Sequence, residues 1–150
     1  MATWSGPATM NPSLYLALLI ATCGYAFARG RGDERTAGAV CIAASILTPI
    51  LLSPLTARYT HIESGVLLID GAVLAAFTLV ALRSDRFWPL WLAGLQLTTT
   101  LAHLLKAIEF ELVPYAYAAA GRFWGYPILL VLAVGTWRGH QRRMREQEAA

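Results

Sequence analysis

Asp70, Gln96, His103 and Arg122 each interrupt a long apolar run. An ionisable side chain inside hydrocarbon costs roughly 2.5 to 3.5 kcal/mol on insertion scales, so each needs a partner, a polar cavity or a function that justifies it. A carboxylate, an imidazole, an amide and a guanidinium at one depth could form ion pairs, pass a proton or hold a small polar ligand. Positions three, four and seven apart share a helix face. Gln96, Thr99, Thr100 and His103 therefore form one stripe, and Glu63 aligns with Asp70. Arg122 lies beside the small face of Ala118, Gly121 and Gly125, where Gly121 and Gly125 make a GxxxG step that permits close helix approach.

Depth brings these residues closer. At ~1.5 Å per helical residue, Asp70 lies about 9 Å inside its run, Arg122 about 12 Å and His103 about 5 Å, all from the same side, with Gln96 near the middle. Two readings follow. In one, Asp70, Gln96, Thr100, His103, Arg122 and Glu63 line a polar pocket in the outer leaflet. In the other, Asp70 and Arg122 neutralise each other, and Gln96, Thr99 and Thr100 are interhelical hydrogen-bond glue worth about 0.6 kcal/mol each. If the last apolar run begins at Phe123, Arg122 is instead an interface anchor that snorkels. His61 and Glu63 could join His103 around zinc or copper, but three scattered residues do not define a ligand set, and no metal or other cofactor is expected.

The elements that position these side chains follow from the apolar runs. The chain has 150 residues, of which 57% are hydrophobic, outside the range of ordinary soluble domains. The pattern predicts an all-α, polytopic membrane bundle of about five transmembrane helices in one domain. The spans are about 14–28, 37–55, 64–82, 87–105 and 114–136, near the roughly 20 residues that cross a ~30 Å hydrocarbon layer. Pro49 and Pro54 interrupt span two. A hydrophilic loop over 29–35 follows span one, and the tail from Trp137 onward frays. No ten-residue alternation of a barrel wall is present. The first run has no basic residues before it and reads as an uncleaved helix.

Orientation comes from the basic residues, eleven of twelve being arginine, a GC-rich bacterial usage. Arg29, Arg31 and Arg35, then Arg83 and Arg86, then Arg138, Arg142, Arg143 and Arg145 fall on one side when five spans are counted. Cytoplasmic loops carry the Lys and Arg excess. The amino terminus is thus expected outside and the carboxyl terminus in the cytoplasm, in the inner membrane. The motif Arg86-Phe87-Trp88 recurs as Arg122-Phe123-Trp124, which fits a membrane interface.

Several functions lack their parts. The arginines sit in short loops and form no stripe with interleaved aromatics, so nucleic acid is not expected. Cys23 and Cys41 have no CxxC or Cys/His spacing and read as buried free thiols. There is no HExxH, GxSxG or Gly-rich phosphate loop. His61 and His103 are too shallow for a paired-histidine haem. The expectation is a small inner-membrane protein that is not an enzyme, acting as an accessory, scaffold or small-ligand-binding subunit. Its partners would be membrane lipids, other membrane subunits, or a second copy through Gly121 and Gly125. The alternatives are an oligomeric channel or proton-coupled carrier using the polar pocket, and a lipid- or quinone-directed membrane enzyme with Asp70 or His103 moving the proton.

Overall fold

A computed structural model describes residues 12–51, 64–108 and 124–150. These form five helices and, among the described residues, no strand: α1 (Pro12–Arg29), α2 (Gly32–Leu51), α3 (Ser64–Arg83), α4 (Trp88–Ile108) and α5 (Gly125–Glu148). Prolines fall where helices tolerate them. Pro89 and Pro127 sit in the first turns of α4 and α5, whose N–H groups have no partner within the helix. Pro49 lies inside α2, which continues past it to Leu51. The expected interruption of span two at Pro49 is corrected accordingly: the ring removes one hydrogen bond without ending the helix.

The helices run alternately up and down in a ring. Each packs on its neighbours in sequence, α5 closes the ring on α1, and α2 also reaches α5. Side-chain pairings fix the directions. Tyr15 near the start of α1 meets Ser45 near the end of α2, with 3.3 Å between their hydroxyls. Asp70 early in α3 meets Gln96 and His103 of α4. Tyr15 also packs edge-on against Tyr126, with centroids 5.7 Å apart, so α1 and α5 are parallel. The core is the inward stripe of Leu19, Cys23 and Ala26, Ala37 and Cys41, Ile69, Val73 and Phe77, Leu92, and Ile128, Leu129 and Leu132. Cys23 and Cys41 are both free and buried.

The outside of the ring is apolar as well. Leu16, Ile20, Ile50, Leu68, Leu79, Trp91, Leu97, Leu101 and Leu130 are among its large exposed side chains. Over Gly65–Arg83, α3 is the one helix among the described residues long and apolar enough to cross a membrane, and only 33% of that stretch is buried within the fold. Ser13–Arg29 is apolar but shorter. The other helices are diluted by polar residues: Asp33, Glu34 and Arg35 at the start of α2, Gln96, three threonines and His103 along α4, and the basic end of α5.

Two further expectations are corrected. The hydrophilic loop over 29–35 is only the turn Gly30–Arg31, because α2 begins at Gly32 and takes the charged residues into its first turn. The tail from Trp137 does not fray: α5 remains helical to Glu148. Thr136 and Gly139 are buried, and the Arg143 guanidinium donates to the carbonyl of Arg29, so the polar tail docks on the α1–α2 turn. Docking supplies the stability that its polar composition does not.

Candidate functional site

The α3–α4 seam is the most extensive helix contact in the fold, and its polar residues face one another. Nε2 of Gln96 lies 3.2 Å from Oδ1 of Asp70 and 3.4 Å from the Asp70 backbone oxygen, so one amide donates to both. Nε2 of His103 lies 3.3 Å from Oδ2 of Asp70, with the side chains 20% and 16% exposed. Oδ2 is buried and accepts no well-directed hydrogen bond among the described residues, and the contact is an ion pair only when the imidazole is protonated. Thr100 donates to the Gln96 carbonyl on its own helix at 3.0 Å, and its hydroxyl is 3.5 Å from the Asp70 carbonyl.

This arrangement follows from helical spacing. Gln96 is 4% exposed and Thr99 8%, whereas Leu97 and Leu101 on the other face are 46% and 47% exposed. Thr99 shares the inward stripe but donates to Leu95 of its own helix at 3.2 Å, not to α3. Thr78, Thr98 and Thr136 bond back by four residues in the same way. A threonine hydroxyl within a helix reaches the carbonyl one turn earlier on its own chain.

Four of the expected residues, Asp70, Gln96, Thr100 and His103, are thus brought together. Glu63, His61, Arg122 and Gly121 lie outside the described residues, as does the expected Asp70–Arg122 pair. Gly125 is described, and its face is occupied from within the chain: a Cβ there would be 2.9 Å from the Tyr15 ring. Among the described residues, no three His, Cys, Asp or Glu side chains converge on a point that could hold a metal ion.

A second polar cluster, at the opposite end of the ring, has no counterpart in the sequence reading. Glu34, only 1% exposed, pairs with Arg86 from the α3–α4 turn. Its other oxygen accepts from the backbone N–H of Arg31 at 2.8 Å. Ser84 donates to Asp33 at 2.7 Å, and Arg29 lies 3.4 Å from the His140 ring. Glu34 is the third residue of α2 and bonds back to the residue before the helix, which is half of a capping box. The sequence signal is an acidic residue three positions after Arg31, obscured because no Ser or Thr stands at the cap and a dense run of charges resembles a loop. The cluster gathers the three arginine-rich segments at one end of the fold.

The two sites differ in chemistry. The Asp70 group is a carboxylate, an imidazole and an amide in a helix seam, able to hand on a proton or to lock two helices together. The Glu34 group is a charged latch tying α2, the α3–α4 turn and α5. No protein-family model matches this chain, and neither a curated protein nor a solved structure matches it with significance.

Proposed function

We propose that this chain is a multi-pass bacterial inner-membrane protein with its arginine-rich end in the cytoplasm, acting as a non-enzymatic accessory, scaffold or small-ligand-binding subunit. The observation that carries the role is that Gln96, Thr100 and His103 of α4 direct polar atoms across the seam at Asp70 of α3. Groups engaged in this way hold helices in register. The membrane setting is supported by the large leucines, isoleucines and aromatics exposed around the described helices and by the apolar stretch Gly65–Arg83, mostly unburied within the fold. The positive-inside pattern supports it too. Self-association through Gly121 and Gly125 would have to use a face that Tyr15 already covers at Gly125.

A second reading, a proton-coupled carrier, is favoured by one contact: the 3.3 Å approach of the His103 imidazole to the Asp70 carboxyl. Cysteine accessibility separates the two. With Cys23 and Cys41 replaced, Gln96→Cys, Thr100→Cys and His103→Cys are exposed in intact cells to a small membrane-impermeant thiol reagent. A scaffold seam stays unreactive at positions 96 and 100. Labelling that enters from position 103 and fades towards 96 would establish a wet path and replace the scaffold with the carrier.

A further inference from the structure

A groove of about 520 Å³ opens between the start of α4 and the second half of α5, at the arginine-rich end. Its α5 wall is one stripe at four-residue spacing, Leu130, Val134, Arg138 and Arg142, extending ~18 Å along the axis. The stripe changes character along its length. Leu130 and Val134, 65% and 43% exposed, lie towards the middle of the bundle, and the two arginines lie at the end. The facing wall is Trp88 and Trp91 of α4, with Asp85 and Arg86 at the mouth.

Charge narrows the occupant. Arg86 is spent on Glu34, whereas Arg138 and Arg142 form no ion pair among the described residues. Asp85 offsets one of them, leaving a net single positive charge beside an apolar trough. The Trp88 indole N–H is buried with no hydrogen-bond partner among the described residues. A phosphodiester suits such a mouth, because guanidinium groups bind its oxygens in pairs, and acyl chains suit the tryptophan, leucine and valine below. Basic pockets between helices on the cytoplasmic side are where anionic headgroups bind.

We infer that this groove is a binding site for an anionic phospholipid of the cytoplasmic leaflet, of the phosphatidylglycerol type. The phosphodiester sits between Arg138 and Arg142, and one acyl chain runs past Trp91 towards Leu130. The site rests on the membrane reading above. It makes a lipid a resident of the fold, seated on α4 and α5 together.

The test uses the full chain purified in a neutral detergent and native mass spectrometry to count bound lipid. Phosphatidylglycerol should bind in preference to phosphatidylcholine. Arg138→Gln with Arg142→Gln should weaken it about 30-fold, at roughly 1 kcal/mol per arginine, while Arg35→Gln, outside the groove, changes nothing. Val134→Trp keeps both arginines and fills the trough, and it should also displace the lipid. Thermal unfolding without added lipid checks that each variant is folded. Phosphatidylglycerol with brominated acyl chains should quench tryptophan fluorescence in the parent and less in Trp91→Phe. Equal binding of the two lipids, equal competition by inorganic phosphate, or undiminished binding to Val134→Trp would each overturn the site. Recovery of the chain from the soluble fraction without detergent would overturn the membrane reading itself.

Discussion

Gln96 holds Asp70 through a single amide that reaches both the side chain and the backbone carbonyl; the carbonyl keeps its helix bond and the nearby Thr100 hydroxyl, so loss of Gln96 leaves Oδ1 without its donor. Leaving a buried acceptor without a partner costs about 1 to 3 kcal/mol. Gln96→Leu should therefore lower stability by that amount in detergent-based unfolding. Thr98→Val, which removes only an exposed bond to its own helix, should stay within about 0.5 kcal/mol. The contact between Asp70 and His103 is tested by a cycle of Asp70→Asn and His103→Gln. A coupling of about 0.5 to 3 kcal/mol is expected for groups in contact. Purely additive losses there, with coupling instead between Asp70 and Arg122, would make Arg122 the partner. The inward stripe was legible from the three-and-four spacing of Gln96, Thr100 and His103. The choice of partner was not, because spacing gives a face and an approximate depth but not which neighbouring helix lies opposite.

At the level of elements, the arginine-rich end depends on close approach. Gly30 and Gly139 back the Glu34–Arg86 pair from two sides. A Cβ on Gly30 would lie 2.6 Å from the Glu34 Cβ, and one on Gly139 would lie 2.5 Å from an Arg86 guanidinium nitrogen. Gly30→Ala, whose Cβ would also lie 2.3 Å from the backbone oxygen of Ala26, should therefore destabilise the fold by about 1 to 3 kcal/mol, the usual cost of overpacking. Gly24→Ala, where a Cβ meets nothing within 4 Å, should gain about 0.5 to 1 kcal/mol from helix propensity. A chemical unfolding series on both variants checks the contrast. Glu34→Ala leaves Arg86 facing a buried void and should cost about 3 kcal/mol, the low end for a broken buried pair. Adding Arg86→Ala should recover part of the loss. These helix bounds were the least legible part of the chain. A run of charges resembles a loop, and a polar tail resembles a frayed end, unless the surface that receives them is known.

For the whole molecule, the alternating ring brings the turns after α1 and α3 and the end of α5 to one pole. With that pole cytoplasmic, reporters fused after Gly32, Asp85 and Gln147 should read cytoplasmic, and those after Tyr59 and Ala107 should read external. A reversal at any one of these positions refutes the proposed topology. The chain should also stay in the pellet when membranes are washed with carbonate, because the exposed girdle of Leu16, Ile20, Leu68, Leu97 and Leu130 has no other apolar phase to enter. Release into the wash would mean that the girdle is covered by protein, not lipid.

Composition and apolar periodicity by themselves determined the helical class and the inward face of α4. Both follow from local rules, in which helix faces repeat every 3.6 residues and long apolar runs without two-residue alternation form helices. The tertiary structure alone decided that Asp70 meets Gln96 and His103, and that Glu34 is the first-turn acid of a helix with Arg86 as its partner. It also decided that residues from Trp137 onward stay helical by docking on the α1–α2 turn. These outcomes depend on residues 26 to 114 positions apart in the chain. No local pattern encodes such a pairing, because the free energy that selects it arises only when the helices pack.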